Sequence, residues 1–92
     1  MIRSFGDKDT AKFASGETVR RFQSFERAAY RKIKYLMAAV TLDDLRSPPG
    51  NRLEALSVDR AGQHSIRIND QWRICFVWND GAAENVEIVD YH

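Results

Sequence analysis

Residues 53–76, LEALSVDRAGQHSIRINDQWRICF, decide how this chain folds. Leu53 and Ala55, then His64, Ile66 and Ile68, then Trp72, Ile74 and Phe76 recur at every second position. That period puts each set on one side of a pleated segment, and it continues through Trp78 and then Val86 and Ile88. Asn69-Asp70-Gln71 and Asn79-Asp80-Gly81-Ala82-Ala83 separate the runs with residues that tolerate unusual dihedrals. The stretch reads as the hairpins of a small antiparallel sheet with one apolar face.

The turns and the apolar phase together set a register. If the three-residue turn pairs Ile68 with Trp72, Arg67 lies opposite Arg73 on the face away from Ile66, Ile68 and Ile74. In the next hairpin Val86 and Ile88 join the core side if Trp78 sits opposite Glu84, which pairs Arg73 with Val89 and leaves Tyr91 one diagonal step away. A slip of one residue sends the apolar set outward, so burial selects this arrangement. Like charges side by side are unfavourable unless an anion joins them, and the planar fork of arginine suits a phosphate. The same two arginines can instead pair with Glu87 or Asp70 on a solvated surface. His64 shares the apolar phase and is expected to be partly buried with its hydrogen bonds satisfied; Trp72 and Trp78 are expected in the core rather than as base-stacking platforms. His92, the last residue, reads either as a functional imidazole or as a frayed end.

Upstream, Ile2 and Ser4 alternate with Arg3 and Phe5, as in a short strand. Asp7 or Asp9 can cap a helix running to Ser15, with Gly16 suited to the left-handed residue that ends it. Phe22, Phe25, Ala29, Ile33, Leu36 and Val40 recur at three and four residues, predicting an amphipathic helix from Phe22 to Val40. Its other face carries Arg27, Arg31 and Lys34. Leu42 to Leu45 adds a possible further turn, and Ser47-Pro48-Pro49-Gly50 stops any helix and forms a stiff connector to the sheet. The expected architecture is α+β, with N-terminal helices packed on one face of a small antiparallel sheet in one domain over residues 1–92.

The composition, 43% hydrophobic and 29% charged, is that of an ordinary globular protein. No apolar run approaches the roughly 20 residues that a bilayer crossing needs, and Met1-Ile2-Arg3-Ser4-Phe5 lacks a signal peptide's apolar region, so a cytoplasmic protein with no membrane partner is expected. One cysteine, Cys75, excludes an intrachain disulfide and offers no metal-ligand spacing, and a buried thiol in a strand is usually inert. The net charge of +1 is unevenly spread: six basic residues and one acid lie between Arg20 and Lys34, whereas Ile74 to His92 holds four acids and no Lys or Arg. A local basic cluster can dock a phosphate backbone whatever the total, or it can be a solvated helix face.

The run RSPPGNRLEALSVDRAGQHSIRINDQWRICF from Arg46 and the terminal VDYH resemble HigB-type toxins of the RelE/ParE superfamily, and more loosely the likeness spans the whole chain. The resemblance implies a RelE/ParE-like fold and a ribosome-dependent messenger RNA endoribonuclease held inactive by a HigA-type antitoxin. It aligns Arg73 with the family's arginine on the scissile phosphate and Arg67 with a second phosphate-binding arginine. It aligns Asp90, Tyr91 and His92 with C-terminal residues used in cleavage. Glu54 departs from the histidine of the best-known HigB pattern and matches the carboxylate of YoeB-type toxins, and Ser57 stands where lysine is common.

The chemistry of such a set is coherent. Attack by the 2′-hydroxyl of RNA needs a base, cationic donors for the charge on the phosphorane, and an acid for the departing 5′-oxygen. Glu54 is the candidate base, Arg73 and Arg67 the stabilisers, His92 the acid, and Tyr91 a stacking or phosphate-positioning group, with no metal or other cofactor required. Arg27, Arg31 and Lys34 are candidate contacts to ribosomal RNA, a salt-sensitive interaction. Two other readings stand beside this one: a ParE-like inhibitor of DNA gyrase, and a noncatalytic RNA- or DNA-binding regulator. The carboxylate, the arginines and the terminal Tyr-His favour the nuclease.

Overall fold

The computed structural model describes residues 1–90. Four strands, β1 (Glu54–Ala55), β2 (His64–Arg67), β3 (Trp72–Asn79) and β4 (Ala82–Asp90), form an antiparallel sheet in the order β1-β2-β3-β4. Helices α1 (Lys8–Ala14) and α2 (Glu26–Ala38) contribute Phe13, Ala29, Ile33 and Leu36 to one core with Ile66, Ile74, Phe76, Val86 and Ile88 of the sheet. The expected helix-on-sheet architecture is therefore observed. The expected N-terminal strand exists only as an extended segment: Ile2 and Phe5 bridge in parallel to Ala83 and Val86, with Arg3 N donating to the Ala83 carbonyl at 2.8 Å. It covers the outer edge of β4, an edge that otherwise leaves backbone groups unpaired.

The β2–β3 register is the expected one, with Arg67 opposite Arg73 and Ile66 opposite Ile74. In β3–β4, Arg73 faces Val89, Ile74 faces Ile88 and Cys75 faces Glu87, again as expected. Beyond Cys75 the expectation fails, because Trp78 faces Ala83 rather than Glu84. Two local demands conflict by one residue. Asp80 and Gly81 both take positive φ (53° and 80°), the geometry of a tight two-residue hairpin turn, which sets Asn79 opposite Ala82. Burial of Val86 and Ile88 demands the other register. A β-bulge reconciles them: Asn85 and Val86 occupy the space opposite Phe76 alone, and Asn85 adopts φ 53° with its N–H donating to Ser4 Oγ at 2.9 Å.

Left-handed backbone costs a β-branched residue about 1–2 kcal/mol and glycine little. Asn85→Val is therefore expected to lose about that much stability in urea melts and Asn85→Gly to remain close to the parent. Equal stability of Asn85→Val and the parent would remove the bulge's conformational demand.

Asp7 caps α1, its carboxylate accepting from Thr10 N at 2.6 Å, and Gly16 follows the helix at φ 102°. Thr10 ties this helix to the sheet, as its buried hydroxyl accepts the Ile88 N–H at 3.0 Å. The single helix expected over Phe22–Val40 is corrected. Arg20–Phe25 is a 3-10 helix, Phe25 breaks the run at φ −130°, ψ 20°, and α2 occupies only Glu26–Ala38. The break aims both Phe22 and Phe25 into an aromatic cluster. Phe22 meets Phe13 edge-on at 5.5 Å and Trp72 at 6.0 Å, and Phe25 stacks on Trp72 at 4.7 Å. At the other end, Ala39 turns extended and is buried while Val40 is 71% exposed, so Val40 does not belong to the apolar stripe. Trp72 and Trp78 pack against the core, as their phase implied.

Leu42–Arg46 forms a 3-10 helix with a capping box between Thr41 and Asp44. Backbone N–H groups of Val40 and Thr41 hold the Asp44 carboxyl below its usual range. The connector expected to stop any helix contains one more 3-10 turn, Pro49–Asn51, since proline at a first helical position has no N–H to forfeit.

Candidate active site

The helices cover one face of the sheet; the candidate residues Glu54, Arg67 and Arg73 lie on the other. Arg73, in the middle of the sheet, has a side chain only 12% exposed. Its Nε donates to Ser65 Oγ at 2.8 Å and its terminal NH2 group to the Arg52 carbonyl at 2.8 Å. The same NH2 group stands 3.8 Å from Oε1 of Glu54, whose side chain is 49% exposed. This closeness follows from topology: β1 pairs Glu54 with Ser65, and β2 pairs Ser65 with Cys75 and Arg67 with Arg73. A half-exposed ion pair at that separation adds little stability, at most about 1 kcal/mol. It does place a proton acceptor beside a guanidinium held at two points.

Arg67 is beside Arg73 in the register but salt-bridged to Asp70, one of the two surface partners considered for it. Glu87, the other, is taken by Arg60, whose NH1 lies 2.7 Å from Oε1 of Glu87 and donates to Gln63 Oε1 at 3.0 Å. Arg60 escaped the sequence reading. It sits on a 3-10 turn, Val58–Arg60, outside any periodic run, and only its spacing of three from Gln63 hinted at a local contact. Cys75 is fully buried beneath this layer. Burial pushes its thiol up, and Arg60, Glu87, Arg73 and Glu54 all act on it in opposing senses, which places those four charges around one point of the sheet. A protonated buried thiol is a poor nucleophile, as expected.

Asp90 ends β4 opposite Trp72, is exposed, and accepts from Gln71 Nε2 at 3.1 Å. Tyr91 and His92 lie outside the described residues. Of the sequence-derived set the structure thus joins Glu54 and Arg73, sets Arg67 next to them, and puts Asp90 at the end of the neighbouring strand.

The family model for the RelE-like toxin HigB of type II toxin–antitoxin systems matches residues 3–92. The chain is also 42% identical over 87 residues to Toxin HigB-1 of Vibrio cholerae serotype O1, an alignment covering 92% of each protein. This chain belongs to the HigB-like toxin family. It is a RelE-like toxin of a type II toxin–antitoxin system. An uncharacterized protein of Haemophilus influenzae is 36% identical over 56 residues, 61% of this chain and 55% of that protein. Among solved structures, the YoeB–YefM complex from Staphylococcus aureus matches with TM-score 0.62 at 17% identity, over 100% of this chain and 98% of that one. YafQ from E. coli matches with TM-score 0.61 at 16% identity, over 98% and 93%. These likenesses show the shared fold.

On the HigB-like toxin the basic residues Arg27, Arg31 and Lys34 form a second, separate feature. All three are exposed on α2 and line a groove of about 700 Å³ with Phe13, Tyr30, Glu17 and Glu26, and Lys34 Nζ sits 5.0 Å from the Tyr30 ring centre. Helix α2 packs on the covered face of the sheet, so this groove and the Glu54–Arg73 pair lie on different elements of the toxin.

Two expectations about buried polar groups need correction. His64 is partly buried and stacked on Phe76 at 6.3 Å, but its Nδ1 has no hydrogen-bond partner among the described residues. Lys32, counted within the basic cluster, is 93% buried, with Nζ donating to Asn51 Oδ1 at 2.6 Å. Burial lowers its pKa, with Arg31 and then Arg67 acting in the same sense. Among the described residues of the toxin no three His, Cys, Asp or Glu side chains are grouped to hold a metal ion, and no helix is long and apolar enough to cross a membrane.

Proposed function

We propose that this toxin is a metal-independent endoribonuclease that cuts messenger RNA on the ribosome. The observation that carries the reading is the Arg73 guanidinium, fixed by Ser65 and the Arg52 carbonyl with Glu54 at 3.8 Å, on the face of the sheet that the helices leave uncovered. In this reading Glu54 takes the proton of the 2′-hydroxyl, and Arg73 with Arg67 receives the charge that builds on the phosphorane. Preorganised donors of this kind are usually the largest catalytic contribution, about 10²- to 10³-fold for one donor, because they need no rearrangement as charge develops. His92 protonates the departing 5′-oxygen, while Tyr91 stacks on the target base and Asp90 supports this C-terminal group. The base, the cations and the acid are all side chains, so the reaction needs no metal.

Arg27, Arg31 and Lys34 contact ribosomal RNA, and the Arg67–Asp70 ion pair opens when a phosphate competes for the guanidinium. A HigA-type antitoxin restrains the toxin in the cytoplasm, within a single domain formed by the whole chain. Mapping of transcript 5′ ends after brief induction tests this reading. New ends inside translated reading frames, absent when translation is blocked, are the expected outcome. Intact messages combined with loss of gyrase supercoiling would instead identify a ParE-like inhibitor, and intact messages with normal supercoiling a noncatalytic regulator.

A further inference from the structure

The buried pair Lys32–Asn51 stands outside the catalytic set, yet it lies under the loop from which both Glu54 and the anchor of Arg73 emerge. Asn51 is fully buried, and its backbone N–H and both side-chain polar atoms are hydrogen-bonded. Its N–H donates to the Pro48 carbonyl at 2.9 Å, and its Nδ2 donates to the carbonyls of Leu45 at 3.1 Å and Ser47 at 3.3 Å. Its Oδ1 accepts from Lys32 Nζ at 2.6 Å. The next residue, Arg52, is held in the left-handed region at φ 46°, ψ 56°, with its N–H donating to the Pro49 carbonyl at 3.1 Å. In that conformation its own carbonyl meets the Arg73 guanidinium at 2.8 Å, and two residues later the chain enters β1 at Glu54.

We propose that Asn51, held from below by Lys32, is a positioning residue that fixes the Arg52 carbonyl and the start of β1, and so sets Arg73 and Glu54 relative to one another. A buried ammonium is a poor device for stability alone, since well-packed apolar residues of similar volume usually serve as well or better. Paired side-chain groups in a buried polar network favour one conformation. Here that conformation is a left-handed residue whose carbonyl accepts from the candidate phosphate-binding arginine. The inference rests on the nuclease reading for its catalytic consequence, but its geometric content stands apart from it.

The test uses the full-length chain with Asn51→Ala, Lys32→Met, Arg73→Ala and the Asn51→Ala/Arg73→Ala double variant. In nitrogen-15 spectra the Arg73 Nε–H, donated to Ser65 in the parent, should exchange faster with solvent in Asn51→Ala and Lys32→Met while the remaining backbone signals persist. In a translating cell-free extract Asn51→Ala should lower kcat by about 10²-fold with little change in KM, the magnitude expected when a remote change misplaces a reacting group by about 1 Å. Adding Asn51→Ala to Arg73→Ala should cause no further loss, since both act through the same guanidinium. An unaltered Arg73 Nε–H in a folded variant, or losses that simply multiply in the double variant, overturns the proposal. If Asn51→Ala does not fold, Lys32→Met decides by the same measurements, because it leaves both Nδ2 bonds in place. If the parent cleaves nothing, the nuclease reading fails, and the exchange of Arg73 Nε–H still decides whether Asn51 positions it.

Discussion

Arg73→Ala is expected to reduce messenger RNA cleavage by about 10²- to 10³-fold, enough to abolish growth inhibition at expression levels where the parent is toxic. The guanidinium is held on the sheet face opposite the helices, and its two anchors, Ser65 Oγ and the Arg52 carbonyl, leave it no need to reorganise as charge develops. The substitution also strands the buried Ser65 hydroxyl, at a stability cost of about 1–3 kcal/mol, so activity must be compared at matched soluble protein with a thermal melt beside it. Arg73→Lys sharpens the comparison. It keeps the charge, but a single ammonium on a flexible stem cannot reproduce a planar fork that reaches Ser65 and Arg52 together, so most of the loss should persist. A well-folded Arg73→Ala protein that still cuts transcripts and stops growth would end the assignment of this arginine.

Phe22→Ala is expected to act on the fold instead. Phe22 is fully buried at the meeting point of Phe13, Phe25 and Trp72, with ring centroids 5.5, 5.8 and 6.0 Å away, and it joins the 3-10 segment to both α1 and β3. Removing a buried phenyl ring typically costs about 3–5 kcal/mol, against a total of about 5–15 kcal/mol for a domain. In a chain of this size that lowers Tm by well over ten degrees, as each kcal/mol shifts it by about 4–8 °C. Toxicity should disappear with the native fold, and conditions that restore folding should restore cleavage. That recovery distinguishes this variant from Arg73→Ala, which stays folded and inactive. Phe22→Leu, which refills most of the volume, should lose much less; equal losses for the two would mean that the aromatic cluster is not what holds this corner.

Much of the candidate site is legible in the sequence. The opposition of Arg67 and Arg73 and the pairing of Arg73 with Val89 followed from one turn and one apolar phase, and both registers are found. What was not legible has a common cause. The Trp78 register was misread because apolar phase and turn geometry were assumed to agree, whereas Asp80-Gly81 and Val86-Ile88 disagree by one residue and Asn85 absorbs the difference. The helix was drawn too long because a spacing of three between Phe22 and Phe25 suits a 3-10 turn as well as an α-helix. Lys32 counts in the basic cluster between Arg20 and Lys34 although it is buried, because charge is visible in a sequence while depth is not.

By itself, the sequence determined the alternating strands, the two hairpins, a helix cap at Asp7 or Asp9 and the guanidinium row, because each depends on residues close along the chain or on a strict period of two. Only the tertiary structure decided which partners those side chains took: Glu87 with Arg60 rather than with Arg67 or Arg73, Asn51 with Lys32, and Arg73 with the carbonyl of Arg52. Such choices join positions far apart in sequence, and they are settled by where packing leaves a donor beside an acceptor, a quantity that no local pattern contains.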